Sequence, residues 1–145
     1  MMQLPALEDF RKTNGPTYGR PWSVNPAGAD FTLTIPDIDV LFEDDDAWKP
    51  HPESYAMAMQ VMEELDGIKQ KAAEYLARIV DAERHWMHGE AYFNHVECDA
   101  RDERVTVAMS WEADIYAEWS VTFVWREREE GALEYRPISM GFRNR

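Results

Sequence analysis

Apolar residues recur at helical spacing through the middle of the chain, between about residues 52 and 81. On a helical projection they fall within an arc of roughly 80°, and the opposite side is polar. Pro52 and Glu53 suit a first helical turn, and Ser54 is a candidate cap. The stripe keeps its phase on both sides of Gly67. The pattern therefore predicts one long, continuous amphipathic helix whose apolar stripe consists of Met57, Val61, Leu65, Ile68, Ala72, Tyr75, Leu76, Ile79 and Val80.

The second half of the chain alternates apolar and polar residues with a period of two, which is typical of half-buried strands. One such run covers residues 105–111 and another covers 115–125. The short link Glu112–Asp114 between them predicts an antiparallel hairpin. A turn at Glu129–Gly131 then leads to a last strand at Leu133–Phe142, and a short strand is expected around Asn94–Cys98.

The first part of the chain is less regular. Residues 1–30 contain many Gly, Pro and Asn residues and predict an irregular N-terminal arm. A strand is predicted at Phe31–Ile35, where Pro36 favours an edge position or a bend. The expected fold is α+β: a single domain over residues 1–145, in which an antiparallel sheet of about four to six strands packs against the one long helix.

Negative charge is concentrated in one segment. Ten acidic residues lie between Asp37 and Asp66 with Lys49 as the only base, so this segment carries a formal −9 of the chain's −13. A localised field of this kind suggests a surface presented to a basic molecule. The chain has no basic stripe for nucleic acid or an anionic membrane surface. No stretch approaches the ~20 apolar residues of a membrane span.

The compartment is predicted from the cysteine and from the N-terminus. Cys98 is the only cysteine, so no internal disulfide can form, which suits a reducing compartment. The first residues have neither a basic start nor a long apolar run, and they do not resemble a secretory signal. A cytoplasmic protein is the expectation.

The acidic stretch after Pro36 is the first candidate site. It is either a solvated face near a helix N-terminus, where negative charge is favourable, or a face that binds a partner. Binding of calcium or magnesium is less well supported, because the spacing of an EF-hand loop is missing. Trp48 lies outside any periodic pattern and fits either the core or an aromatic anchor at an interface. The predicted partner-binding residues are Asp37, Asp39, Glu43, Asp44, Asp45, Asp46, Trp48 and Glu53.

A second candidate site combines His85 and His88 with His95 and Cys98, residue types that bind zinc. Their spacing matches no standard zinc framework, and a strand would turn His95 and Cys98 to opposite faces. The alternative places the first pair at a helix end and the second on a strand. The chain also has no nucleophile elbow and no Gly-rich phosphate loop. We therefore predict no metal or other cofactor and no enzymatic activity.

The acidic segment 37–66, together with the closing strands Glu118–Phe123 and Tyr135–Met140, resembles the small acidic immunity proteins of bacterial toxin systems. The resemblance implies a cytosolic α+β protein that binds a cognate toxin tightly. The first hypothesis is therefore an inhibitor that neutralises a basic toxin domain.

Two other hypotheses stay open. One is a metal-dependent enzyme or a small-molecule-binding protein, which would use the His/Cys cluster or a pocket between helix and sheet. The other is a homodimer formed through an edge strand, such as Phe31–Ile35 or the last strand.

Overall fold

The computed structural model describes residues 2–12, 21–38, 49–80 and 88–144. These ranges contain a 3-10 helix at Leu7–Asp9, two α-helices and seven strands. None of the helices found there has the length and apolar character that crossing a bilayer requires. The α-helices are α1 (Pro52–Glu63) and α2 (Leu65–Ile79), and the strands are β1 (Arg11–Lys12), β2 (Trp22–Val24), β3 (Thr32–Ile35), β4 (Ala91–Asp99), β5 (Arg104–Trp111), β6 (Asp114–Glu127) and β7 (Leu133–Asn144).

All strands of the described ranges join one sheet, in their order along the chain. Neighbouring strands are antiparallel except β3 and β4, which run parallel with Leu33 opposite Val96. A parallel pair needs a crossover connection, and here that connection contains α1 and α2. The sheet is therefore mixed, and the two helices lie in the connection between its two halves.

The predicted fold class is wrong in two respects. The sheet has seven strands in the described ranges and includes a parallel pair, whereas four to six antiparallel strands were expected. The helical region is divided at Glu64, whose φ of −109° and ψ of 13° end α1. In place of one long helix, the chain forms helices of 12 and 15 residues.

Tertiary contacts give the physical reason for the division. Helix α1 packs against β3 and β4, whereas α2 reaches β7 at the edge of the sheet. A straight helix of about 30 residues would be about 45 Å long and could not follow a twisted sheet. At the break, the Tyr135 hydroxyl on β7 donates to Glu64 Oε2 over 3.1 Å. The same hydroxyl lies so close to Gly67 that a Cβ there would collide with it.

The predicted hairpin is confirmed, but the predicted edge position of the strand at Phe31–Ile35 is wrong. The hairpin is confirmed, since β5 and β6 pair antiparallel with Val107 opposite Val121. The strand predicted at Phe31–Ile35 is present as β3, but it lies inside the sheet between β2 and β4. It therefore offers no edge for a dimer, whereas β7 does. The N-terminal region contributes β1 and β2, which are too short to produce a recognisable alternation.

The hydrophobic core lies between the helices and one face of the sheet. Val61 and Ile68 of the helices are fully buried, as are Val96, Val107 and Val121 on three neighbouring strands. The register places these strand residues on one face, because Val96 is opposite Val107 and Val107 is opposite Val121. The core thus fixes the position of α1 on the sheet, and with it the position of residues 49–51, which lead into α1.

Candidate functional site

The structure describes two of the predicted partner-binding residues, Asp37 and Glu53. The acidic segment, defined as residues 39–48, lies outside the described residues. It contains the other six predictions, which are Asp39, Glu43, Asp44, Asp45, Asp46 and Trp48.

The two ends of the acidic segment are held together. Asp37 and Pro50 form an antiparallel bridge, and the Ile38 backbone N–H donates to the Lys49 carbonyl oxygen over 2.9 Å. Helix α1 begins directly afterwards, with His51 Nδ1 accepting from the backbone N–H of Ser54 at 3.1 Å. His51 is the N-cap, so the predicted capping role of Ser54 is wrong. The acidic segment therefore leaves and rejoins the fold at one point beside the start of α1.

An apolar groove of about 570 Å³ adjoins this closure. We call it the Trp22 groove. Glu8, Arg11 and Lys49 contribute charged groups to it. Among its aromatic residues, Phe10 packs edge-on against Tyr55 with ring centroids 5.9 Å apart. The apolar lining comprises Leu7, Phe10, Trp22, Ile38, Pro50 and Pro52.

Asp37 lies behind the wall of the Trp22 groove. Only 9% of the residue is exposed, and Oδ2 accepts a hydrogen bond from the Trp22 indole Nε1 at 2.7 Å. The second carboxylate oxygen, Oδ1, is buried and has no hydrogen-bond partner among the described residues. An acceptor left in this state costs about 1–3 kcal/mol. Asp37 therefore holds the Trp22 ring from behind instead of lying open at the surface.

A second groove, also of about 570 Å³, is acidic. We call it the Glu53 groove. Carboxylates reach it from three elements: Glu53 from α1, Glu103 from the turn between β4 and β5, and Glu127 from β6. Arg126 Nε donates to Glu103 Oε2 at 3.0 Å, and the Trp125 indole Nε1 donates to Gln60 Oε1 at 3.1 Å.

Sequence analysis identified Glu53 but missed the other two carboxylates of this groove. Glu103 and Glu127 lie far from the acidic segment along the chain, and only the folded sheet brings them beside α1. The structure shows one unusual local feature at Glu103: its backbone φ is 53°, in the left-handed region. Such backbone conformations cost of order 1–3 kcal/mol in a residue other than Gly and often occur at functional sites.

The metal candidates do not come together in the described part of the chain. His85 lies outside the described residues, and His88 is exposed just before β4. His95 pairs with Ala108 and Cys98 with Val105, so their side chains lie on opposite faces of the sheet, as predicted. Within the described ranges, no group of three or more His, Cys, Asp or Glu residues is arranged to hold a metal ion.

The environments of the two strand residues differ. His95 Nε2 lies 2.6 Å from the Thr34 hydroxyl. Burial lowers the pKa of His95, against an opposite influence of Glu97 and Glu118. Cys98 is buried in the core, and burial raises the pKa of its thiol. A thiol kept protonated in this way is a poor nucleophile and a poor metal ligand.

A partly buried polar network was also missed by sequence analysis. Asn94 Nδ2 donates to Ser110 Oγ at 2.9 Å and to Glu118 Oε2 at 3.0 Å. Arg143 Nε donates to Glu118 Oε1 at 2.7 Å. Shifts of register next to Asn94 and Ser110 bring these side chains together. The network joins four adjacent strands and satisfies the buried Ser110 and Glu118, with Arg143 reaching Glu118 from the exposed side. These contacts indicate a structural role.

Comparison of the chain with protein-family models, with curated proteins and with solved structures found no match. The candidate site is therefore defined by geometry alone. It consists of the Trp22 groove, which is lined by Pro52 at the start of α1, and of the Glu53 groove, which is lined by the next residue. The two ends of the acidic segment meet at the bridge between Asp37 and Pro50.

Proposed function

We propose that this chain is a non-enzymatic inhibitor that binds a basic protein through its acidic surface. The expected partner is a bacterial toxin domain, so that the chain acts as an immunity protein in the cytoplasm. The observation that carries the proposal is the closure at Asp37 and Pro50. The two residues that flank the acidic segment, Ile38 and Lys49, both line an apolar groove, and the sequence between them contains five carboxylates within ten residues.

This combination suits protein recognition. Binding interfaces commonly have an apolar centre that contributes most of the affinity, surrounded by a polar rim. Here the Trp22 groove supplies apolar and aromatic surface, and the acidic segment begins at its edge. The Glu53 groove continues the negative charge along α1 to the turn between β4 and β5.

In the proposed mechanism, charge governs how fast the two proteins associate and direct contact governs how slowly they dissociate. The localised negative field accelerates the encounter with a basic protein, and opposite charges align the two surfaces. The grooves then supply the buried area that slows dissociation. If the partner acts on nucleic acid, the carboxylates would occupy its basic cleft in place of phosphate groups.

The test compares two charge reversals of equal size. One variant carries Asp45→Lys and Asp46→Lys in the acidic segment. The other carries Glu90→Lys and Glu112→Lys, two exposed residues that line neither groove and lie at the end of β4 and β5 opposite to the Glu103 turn. The partner is first captured on the wild-type chain from the producing organism and identified, and association rates are then measured by stopped flow at low and physiological salt.

We expect the first variant to lower the association rate constant at low salt by about tenfold or more, because steering by charge contributes on this scale. The second variant should change it much less, since its charges lie elsewhere. Equal effects of the two variants, or an unchanged rate constant in the first, would show that the acidic segment does not guide binding.

A further inference from the structure

Strand β7 is a long free edge of the sheet. It pairs with β6 and with no other described strand, and it runs for 12 residues with every side chain half-buried or exposed. At the other end of the sheet, β1 has only two residues, which are both charged. Edge strands offer unpaired backbone groups to other strands, and proteins usually shorten, charge or bend them. By this standard β1 is protected, whereas the length of β7 leaves it open.

The features that would protect β7 are confined to its first half. Glu134 accepts a hydrogen bond from Arg128 Nε at 2.7 Å, and Arg136 is exposed. Pro137 has no backbone N–H to donate. Directly after it, at Ile138, the register with β6 shifts. Charges, a proline and a bulge each hinder pairing with a further strand, so this half of the edge is blocked.

The second half of β7 lacks such protection. Residues 139–142 are in regular register with β6 and include neither a charged residue nor a proline. Met140 is opposite the core residue Val121 and is half-buried. Phe142 is opposite the core residue Trp119, with ring centroids 4.5 Å apart, yet 52% of Phe142 is exposed. Opposite residues share a face of the sheet, so apolar surface continues from the core to the open edge.

The charge of β7 favours a second copy of the chain as the occupant of this edge over a basic protein. Glu134, Arg136 and Arg143 give residues 133–144 a formal charge of +1, in a chain of −13. Arg143 borders the unprotected half, and 73% of its side chain is exposed. Two acidic chains repel one another over most of their surface. They can approach with least repulsion where acidic residues are few, whereas a basic protein is drawn to other parts of the chain.

The residues of this half-strand are complementary to themselves. Antiparallel pairing of two identical strands creates a two-fold axis, so each contact occurs twice. An axis at Gly141 brings Met140 of one copy opposite Phe142 of the other, and methionine sulfur against an aromatic ring is a favourable contact. The same axis brings Ser139 opposite Arg143, so no like charges face each other.

We propose that residues 139–143 of β7 pair antiparallel with the same residues of a second copy of this chain, so that the two sheets join in a symmetric dimer. The pairing covers the exposed Phe142 of each copy and gives partners to backbone groups that otherwise face water. Neither the Trp22 groove nor the Glu53 groove is lined by a residue of β7. The inference therefore does not depend on the proposed function.

The test measures the oligomeric state of the full chain and of three lysine variants by sedimentation velocity, over a wide range of protein concentration. Phe142→Lys and Ser139→Lys each place a charge in the unprotected half of β7. Leu4→Lys is the matched control, because Leu4 is 51% exposed and its neighbour Gln3 bonds to Ala27, between β2 and β3. Circular dichroism checks that each variant is folded.

We expect a reversible equilibrium between monomer and dimer in the wild type. It should shift toward the dimer as sodium chloride is raised, because salt screens the repulsion between two acidic chains. Phe142→Lys and Ser139→Lys should each raise the dimer dissociation constant by about tenfold or more, since the change occurs twice in a symmetric interface. Leu4→Lys should leave it unchanged. Hydrogen exchange of the wild-type backbone amides at residues 139–143 should slow as the dimer forms.

A chain that stays monomeric at high protein and high salt concentration would overturn the inference. So would a dimer that Leu4→Lys weakens as much as the two β7 variants do, or one that forms without slower amide exchange in β7. The inference is also wrong if the β7 amides become protected only when the captured partner protein is added, since the edge would then receive a strand of that protein.

Discussion

Cys98 shows how the position of one residue on a strand determines its chemistry. It lies on β4 opposite Val105 and is fully buried in the core. Burial disfavours the charged thiolate, and the negative charge of Glu97 acts in the same direction, so the pKa of the thiol is raised. The folded protein therefore keeps this proton at alkaline pH, where the unfolded chain releases it.

This difference predicts a loss of stability at alkaline pH. A cysteine in an unfolded chain has a pKa of about 8.5, so above that pH the unfolded state loses a proton that the folded state retains. The proton equilibrium of Cys98 therefore does not change the free energy of unfolding at neutral pH, and it lowers that free energy as the pH rises above about 8.5. Between pH 8 and pH 10, we expect the wild type to lose about 2 kcal/mol more unfolding free energy than Cys98→Ala. Urea unfolding of both proteins measures this, and parallel pH profiles would contradict it.

Sequence alone could place some of these residues but not others. The period of two along a strand was sufficient to put His95 and Cys98 on opposite faces. The burial of Asp37 was not predictable, because it depends on a hydrogen bond to Trp22 and a bridge to Pro50, which only the folded chain brings close. For the same reason, Glu53 was recognised as a candidate but its groove partners Glu103 and Glu127 were not.

The helical region separates what a local pattern can predict from what tertiary contacts decide. The apolar stripe indicated the buried side correctly at Val61, Ile68, Ala72 and Leu76, which are all fully buried. It was wrong at its end, where Ile79 is 53% exposed and Val80 lies outside α2. The break at Glu64 leaves no mark on that stripe. It coincides with the hydroxyl of Tyr135, which bonds Glu64 and approaches Gly67. Tyr135 is itself held by stacking on Trp125, with ring centroids 4.7 Å apart.

A double-mutant cycle tests this account of the break. Gly67→Ala in the wild type should lower the free energy of unfolding by about 1 kcal/mol or more, because the new methyl group collides with a ring that cannot easily move. In a Tyr135→Phe background the obstructing oxygen is gone. There the same change should raise the free energy of unfolding by up to about 1 kcal/mol, through the better helix propensity of Ala.

The cycle is read from urea unfolding of the four proteins. Tyr135→Phe alone should cost about 1 kcal/mol for the lost hydrogen bond to Glu64. A change of sign for Gly67→Ala between the two backgrounds is the expected outcome. If Gly67→Ala has the same effect in both, the hydroxyl of Tyr135 is not what requires a glycine at this position.

For the strands too, some pairings follow from the local sequence pattern and others depend on tertiary contacts. The hairpin of β5 and β6 could be predicted because both strands alternate clearly and are joined by a short link. The parallel pairing of β3 with β4 could not, because it depends on how the intervening helices return the chain to the sheet. Strands β1 and β2 span only two and three residues and are defined by their pairing alone.

At the scale of the whole molecule, the negative charge is concentrated in one part of the chain. Most of the formal −13 lies between Asp37 and Asp66. Asp37 and Glu64 bond side chains of the fold, but the hydrophobic core itself is built from apolar side chains of the helices, the sheet and the N-terminal region. Crowded carboxylates repel one another and oppose the compact state. Carboxylates that remain crowded although they lower the stability of the folded chain are consistent with the proposed role in binding.

The cost of this surface can be measured through its dependence on salt. A variant with Asp44→Asn, Asp45→Asn and Asp46→Asn removes three charges with little change of side-chain shape. At about 10 mM salt the Debye length is about 30 Å, so repulsion extends across the acidic surface, whereas at about 1 M it is about 3 Å. We therefore expect the variant to unfold at a higher urea concentration than the wild type at low salt, and the two midpoints to converge as sodium chloride is raised. A wild-type chain that is more stable than the variant at low salt would mean that these carboxylates make favourable contacts within the free protein, and the charge would then serve the fold instead of a partner.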